Sequence, residues 1–185
     1  MDLRQAIYSR RAVRDYTTEP LGKEVLTRLI HAAIQAPSAV NEQPWSFAVV
    51  QDRKLLERIS SEAKAHGLRA PATGVPQRIL ERLHDPNSNI FYNAPALILI
   101  SSRSDSPWAV VNCSLAAQNL MLAAHAEGLG TCWIGLAQAW LETRAGKQLM
   151  GLPAHYLPVA PIIIGRPAAT PPPVERKEPE TRWIG

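Results

Sequence analysis

The stretch that most constrains this chain is WAVVNCSLAAQNLMLAAHAEGLG, residues 108–130. It reads as one long helix with small or apolar residues on nearly every face. Such a helix has to be covered on most of its sides, so it belongs in the middle of a fold. The segments able to cover it alternate in character. TTEPLGKEVLTRLIHAAIQAPS contains a clear amphipathic helix, with Val25, Leu26, Leu29, Ile30, Ala33 and Ile34 at helical spacing and Pro37 beyond its end. WSFAVVQD, APALILISS and YLPVAPIIIGRP read as strands. RKLLERISSEAKA and AWLETRAGKQLMGLP read as further helices, and QRILERLH as a short one. Asp2 is placed to cap a helix through Ser9, with Gln5 as its capping-box partner. Gly128 and Gly130 are read as ending the long helix. The strands are too few and too unevenly spaced for a regular β-α-β alternation.

Composition removes several function classes. The 185 residues suffice for one domain with a sizeable core. No apolar run approaches the ~20 residues of a membrane helix, and the first residues lack the apolar segment of a secretion signal. Cys113 and Cys132 have no metal-like spacing and read as reduced, buried thiols in a cytoplasmic protein. The formal net charge is +4, but the basic residues gather in two short groups. Arg4, Arg10, Arg11 and Arg14 lie near the start, and Arg166, Arg176, Lys177 and Arg182 near the end. Two such groups suit one small anion better than a nucleic-acid backbone.

The familiar catalytic motifs are missing. EGLGTCWIG lacks the G-x-G-x-x-G spacing and follows a helix rather than a strand, so it is no dinucleotide fingerprint. There is neither a phosphate-binding G-x-x-x-x-G-K-[ST] nor a G-x-S-x-G elbow, and the five histidines are scattered. What remains is distributed: SRRAVRDY, APSAVNEQPW, GLGTCWIG and IIIGRP followed by a basic tail. Read physically, these are parts of a flavin site. Arg10 and Arg11 leave a short helix and can grip a phosphate through charge-assisted bonds, with Arg176 or Lys177 closing on the same dianion. Arg14, taken as one helical turn further on, can reach the N1–C2=O edge, where negative charge develops on reduction. Asn41 offers the donor and acceptor that a pyrimidine edge needs. The backbone of Trp133, Ile134 and Gly135 can approach the ring near N5. Trp45 reads as core, Trp108 and Trp183 as packing or dimer contacts, and His125 as a hydrogen-bonded core residue.

These four motifs, in this order, resemble the nitroreductase family of FMN-dependent oxidoreductases over essentially the whole chain. SRRAVRDY differs from the family's opening motif in carrying Ala12 where Ser is frequent, which removes one hydroxyl contact to the phosphate. The resemblance implies an α+β fold whose mainly antiparallel central sheet is flanked by helices. It further implies an intertwined homodimer with exchanged C-terminal tails. Residues 1–166 would form one FMN-binding domain, and the proline-rich 167–185 an extended tail wrapping the partner. By the same resemblance Arg10, Arg11, Ala12 and Arg14 come from one chain, and Pro37, Ser38, Ala39, Asn41 and Gln43 mainly from the other. Trp133, Ile134 and Gly135 lie beside the ring, and Arg176 and Lys177 near the phosphate.

The implied activity is ping-pong transfer of reducing equivalents from NAD(P)H, through flavin N5, to nitroaromatic, quinone or enone acceptors, with no side-chain base. No metal, membrane or nucleic-acid partner is expected. Two alternatives stay open: an FMN carrier or sensor with little turnover, and a specialised member that fragments flavin, dehalogenates or dehydrogenates. Residues 66–95, with Pro71, Pro76 and Pro86, are expected to shape substrate choice and to leave the pocket open.

Overall fold

The computed structural model describes residues 1–69 and 76–185. Seven helices are numbered in chain order: α1 (Leu3–Ser9), α2 (Lys23–Ala33), α3 (Arg53–Arg69), α4 (Gln77–His84), α5 (Ala109–Ala126), α6 (Gln138–Leu141) and α7 (Arg144–Leu149). Four strands, β1 (Trp45–Val50), β2 (Ala96–Ser102), β3 (Gly130–Trp133) and β4 (Leu157–Gly165), form one antiparallel sheet in the order β1-β2-β4-β3. This α+β arrangement agrees with the fold the motifs imply.

The sheet is covered on both faces, which explains why its central strands are apolar without alternation. Ile98, Ile100, Ala160, Ile162 and Ile164 face a core shared with α2 and α5. Leu97, Leu99 and Ile163 face a second core shared with α3 and α6. Helix α5 meets the sheet through Cys113, Ala116, Ala117, Leu120 and Ala124, mostly small side chains that let helix and sheet approach closely. It is the central, buried helix its composition demands, though Val110, Val111 and Leu115 stay exposed on its outer side.

Local chemistry sets the ends of elements. Asp2 Oδ1 accepts from Gln5 N at 2.8 Å and Gln5 Oε1 accepts from Asp2 N at 3.2 Å, a complete capping box on α1. Gly128, at φ 77°, closes α5 in the left-handed conformation. Gly130 is not a cap as expected: it opens β3, and a Cβ there would sit 2.6–2.8 Å from atoms of the Val13 side chain. Close packing of two segments, not a turn, demands that glycine.

Three further expectations are corrected and one is met. SRRAVRDY leaves the helix as expected, but the segment is extended, so Arg14 is reached along a strand-like path and not one helical turn on. Helix α3 runs on to Arg69, beyond the anticipated Ala65. The single helix expected after residue 138 is split into α6 and α7, because Thr143 Oγ1 accepts from Gly146 N at 3.0 Å and starts a new helix. The short helix expected within 66–95 is present as α4, and its Leu83 packs against Gly67 of α3. Pro71 lies outside the described residues. After Pro167 the chain carries no regular structure, and Trp183 is 94% exposed.

Candidate functional site

The arginine-rich segment owes its position to backbone pairing. Ala12 forms a parallel bridge with Thr131 of β3, and Val13 N donates to Thr131 O at 3.0 Å. Tyr16 bridges Pro167, and its hydroxyl donates to Val13 O at 2.7 Å. Val13 and Tyr16 are buried, which pins the segment and leaves Arg10, Ala12 and Arg14 at the surface along β3. The β3 exit, Trp133, then turns through Ile134 into a short 3-10 segment, Gly135–Ala137. A Cβ placed on Gly135 would meet nothing within 4 Å, so the backbone there borders open space.

The two leading arginines differ. Arg11 Nη1 donates to Tyr8 O and to Arg10 O, both at 2.8 Å, satisfying carbonyls left over at the α1 C-terminus, while its Nε is buried without a partner. Arg10 makes no ion pair among the described residues. Its guanidinium pKa is lowered, first by burial and next by the like charge of Arg176, with Arg11 adding to the effect and Cys132 opposing it. The tail thus brings Arg176 into the electrostatic neighbourhood of Arg10, whereas no contact places Lys177 there. Burial pushes the Cys132 thiol up, with Arg14 and Arg10 pulling the other way. A ledge of incompletely neutralised arginines beside an open backbone edge can hold a dianion at one end and a planar polar ring along its length.

His125 also belongs to this corner. It is half-buried at the α5 C-terminus rather than in the core, and its Nε2 lies 2.7 Å from Ser9 Oγ. Its pKa is lowered by burial first, then by Arg10 and Arg11.

The second group of candidates sits at the other edge of the sheet. Residues 37–43 lead into β1, while β3 is the outermost strand on the opposite side. The two edges are about 14 Å apart at ordinary strand spacing. Within one copy, therefore, Pro37, Ser38, Ala39, Asn41 and Gln43 are not brought to the arginine ledge. The 37–43 loop is built to a fixed shape. Val40, Asn41 and Gln43 have φ of 49°, 57° and 47°, and Val40 is 98% exposed. Three non-glycine residues in the left-handed region, one of them β-branched, persist only where surrounding bonds over-determine them. Those bonds are visible. Ser38 Oγ accepts from Gln43 N at 3.0 Å, Gln43 Nε2 donates to Asn41 Oδ1 at 2.9 Å, and Arg103 Nη2 donates to Gln43 O at 3.1 Å.

The decisive support is a residue the motif reading passed over. Asn112, 1% exposed on α5, accepts from Ala39 N through Oδ1 at 3.0 Å and donates from Nδ2 to Glu42 Oε2 at 3.1 Å. The signal was present: one amide in an otherwise apolar, buried stretch of helix needs a polar partner.

With this geometry described, comparison with known proteins identifies the class. The family model for the Nitroreductase family matches residues 7–166, and the chain belongs to that family. A protein of Methanothermobacter thermautotrophicus named "Putative NADH dehydrogenase/NAD(P)H nitroreductase" is 33% identical over 176 residues, covering 92% of this chain and 80% of its own. A Desulfitobacterium hafniense nitroreductase crystallised with bound FMN superimposes with a TM-score of 0.85 at 26% identity, covering 100% of both chains. An iodotyrosine deiodinase bound to FMN and 3-iodo-L-tyrosine gives a TM-score of 0.77, also at 26% identity and with 100% of both chains covered.

Proposed function

We propose that this protein is an FMN-dependent NAD(P)H oxidoreductase that reduces nitroaromatic, quinone or enone acceptors, with its flavin site completed by a second copy of the chain. The observation that carries this reading is the Ala12–Thr131 bridge, which sets the arginine segment alongside the β3 exit at Trp133–Gly135. The residues present suit FMN. Arg10 has no carboxylate partner among the described residues, the buried Nε of Arg11 lacks an acceptor, and the Gly135 backbone borders open space.

Bound FMN would supply the redox chemistry, taking hydride at N5 from NAD(P)H and passing electrons to the acceptor. The chain's own residues bind and orient. Arg10 and Arg11, with Arg176 from the tail, hold the phosphate. Ala12 contributes its backbone but no hydroxyl. Arg14 offers positive charge at the ring edge where reduction builds negative charge. Trp133, Ile134 and Gly135 shape the wall beside N5. Pro37, Ser38, Ala39, Asn41 and Gln43 reach the ring from the partner copy. The surface agrees with pairing: Leu3, Ile7 and Tyr8 of α1, Val110, Val111 and Leu115 of α5, and Trp108 are all exposed in a single copy. The tail after Pro167, stiffened by proline, is suited to lie along that partner.

The test is anaerobic. The purified protein is expected to show flavin absorbance that bleaches on adding NADH or NADPH and returns on adding menadione. A protein that stays yellow with both donors is instead a carrier or sensor, and a colourless one removes the proposal. The likeness to the iodotyrosine deiodinase favours one further reading, reductive dehalogenation, which release of iodide from 3-iodo-L-tyrosine would establish.

A further inference from the structure

Beside the ledge lies a cluster of which the flavin reading uses only Arg14. Arg82, on α4, places its Cζ 3.8 Å from the centroid of the Tyr92 ring, and Arg14 places its own at 6.0 Å. We propose that Arg82 and Arg14, both held by Tyr92, form a subsite for a carboxylate on the acceptor, so that this enzyme favours anionic aromatic acceptors. The inference rests on the assignment of Arg14 to the flavin edge made above.

Three observations support it. First, neither guanidinium is neutralised. The ion pairs among the described residues are Arg28–Glu127, Arg53–Glu57, Arg166–Glu19 and Arg182–Glu180, all elsewhere. The stretch 70–75, just before α4 in sequence, contains no acidic residue. An aromatic face attracts a guanidinium through its quadrupole without cancelling its charge, so the N–H edge stays available to an anion.

Second, the ring is held in place by a strained, anchored turn. Tyr92 and Asn93 have φ of 53° and 56°. Tyr92 N donates to Asn89 O at 3.0 Å, Phe91 N donates to Asn89 Oδ1 at 2.8 Å, and the neighbouring Ile90 and Phe91 are fully buried. Consecutive left-handed residues that are not glycine are costly and are kept where a side chain must be aimed.

Third, Arg82 is tied at one end only. Its Nη2 donates to Asn89 O at 2.7 Å and its Nε is buried, while Nη1 makes no hydrogen bond among the described residues and is not buried. A ligand oxygen arriving at Nη1 would meet a charged donor the chain leaves free. A planar guanidinium matches a carboxylate in two-point geometry, and Arg14 carries a second positive charge toward the ring bearing the reducible group.

The experiment compares two acceptors that share a nitro-aromatic ring and differ in charge, 4-nitrobenzoate and methyl 4-nitrobenzoate. Holoenzyme kcat/KM is measured for each at saturating NADH. The parent should prefer the carboxylate, and Arg82→Gln should lower the carboxylate-to-ester ratio about tenfold, the scale of a lost charged hydrogen bond. Arg82→Lys should retain part of the preference, and Tyr92→Leu should lower it in the same direction. Thermal denaturation of each variant accompanies the kinetics, and Arg82→Lys, which keeps the charge, serves if Arg82→Gln does not fold. An unchanged ratio in the variants, or a parent that prefers the ester, overturns the proposal. So does a change confined to the NADPH-to-NADH ratio, which would assign the cations to the donor's 2′-phosphate. If the parent reduces neither acceptor, the menadione assay shows whether the flavin reading itself has failed. Calorimetric titration with benzoate then decides: binding lost in Arg82→Gln supports the subsite, and equal binding or none refutes it.

Discussion

Exchanging the two polar partners that hold the 37–43 loop should break it and then repair it. Asn112→Asp keeps an acceptor for Ala39 N but sets a carboxylate opposite Glu42 Oε2, the atom now bonded to Asn112 Nδ2 at 3.1 Å. Two carboxylates at that separation cannot both stay ionised. The loss is that of a charged hydrogen bond plus the repulsion, moderated because Glu42 is only partly buried, which gives about 1–2 kcal/mol. Glu42→Gln alone leaves a neutral amide bond and should cost about 0.5–1 kcal/mol. In the double variant, the new amide at position 42 donates to the new carboxylate at position 112. That carboxylate still accepts from Ala39 N, so the double should be no less stable than Glu42→Gln alone. The shared carboxyl of Asn112→Asp has its pKa raised in the folded state. Folded protein then binds the proton more tightly than unfolded, so the variant should regain stability as pH falls through that pKa and lose it as pH rises. Urea denaturation at several pH values measures the cycle, and FMN retention follows the loop. A double variant as unstable as the sum of the singles would refute the clamp, as would an Asn112→Asp defect indifferent to pH.

Further outcomes follow from other contacts. Gly130→Ala drives a Cβ to within 2.6–2.8 Å of the Val13 side chain; denaturation should show a loss of about 1–3 kcal/mol, partly recovered by adding Val13→Ala. Arg10→Gln should weaken FMN binding about 10- to 100-fold, measured by flavin fluorescence, because a charge-assisted phosphate contact is lost. His125 titrates below its ordinary 6.5, with burial, Arg10 and Arg11 as causes. The unfolded chain therefore binds that proton more readily, and this contribution to stability is lost as pH falls below 6.5 toward the folded value. FMN phosphate should offset the arginine charge and raise the His125 pKa; ring-proton NMR showing no change on FMN loading would place the phosphate elsewhere.

Much of this molecule was legible because its signals are local. The Asp2–Gln5 capping box, the helical spacing from Val25 to Ile34, the left-handed Gly128 and the apolar run of α5 each depend on residues a few positions apart. The errors came where a distant partner decides. Arg14 was placed one helical turn beyond the arginine pair, but pairing of Ala12 and Val13 with Thr131, more than a hundred residues on, draws the segment straight. Gly130 looked like a helix cap because of Gly128, while Val13 is what excludes a side chain there. Asn112 and Arg82 were invisible as site residues for the same reason. Their roles come from Ala39, Glu42 and Tyr92, reached only through the fold.

The central claim is that one flavin site is assembled from opposite sheet edges of two copies. Mixing two defective variants tests it most directly: one copy carries Arg10→Gln and Arg11→Gln, the other Ser38→Ala and Asn41→Ala. Each alone should purify with little FMN and oxidise NAD(P)H slowly. Unfolded together and refolded, they should form mixed pairs holding one intact site each, restoring about a quarter of the parental FMN content and activity if pairing is random. A mixture no better than its separate components would contradict the account, as would either variant retaining parental FMN by itself.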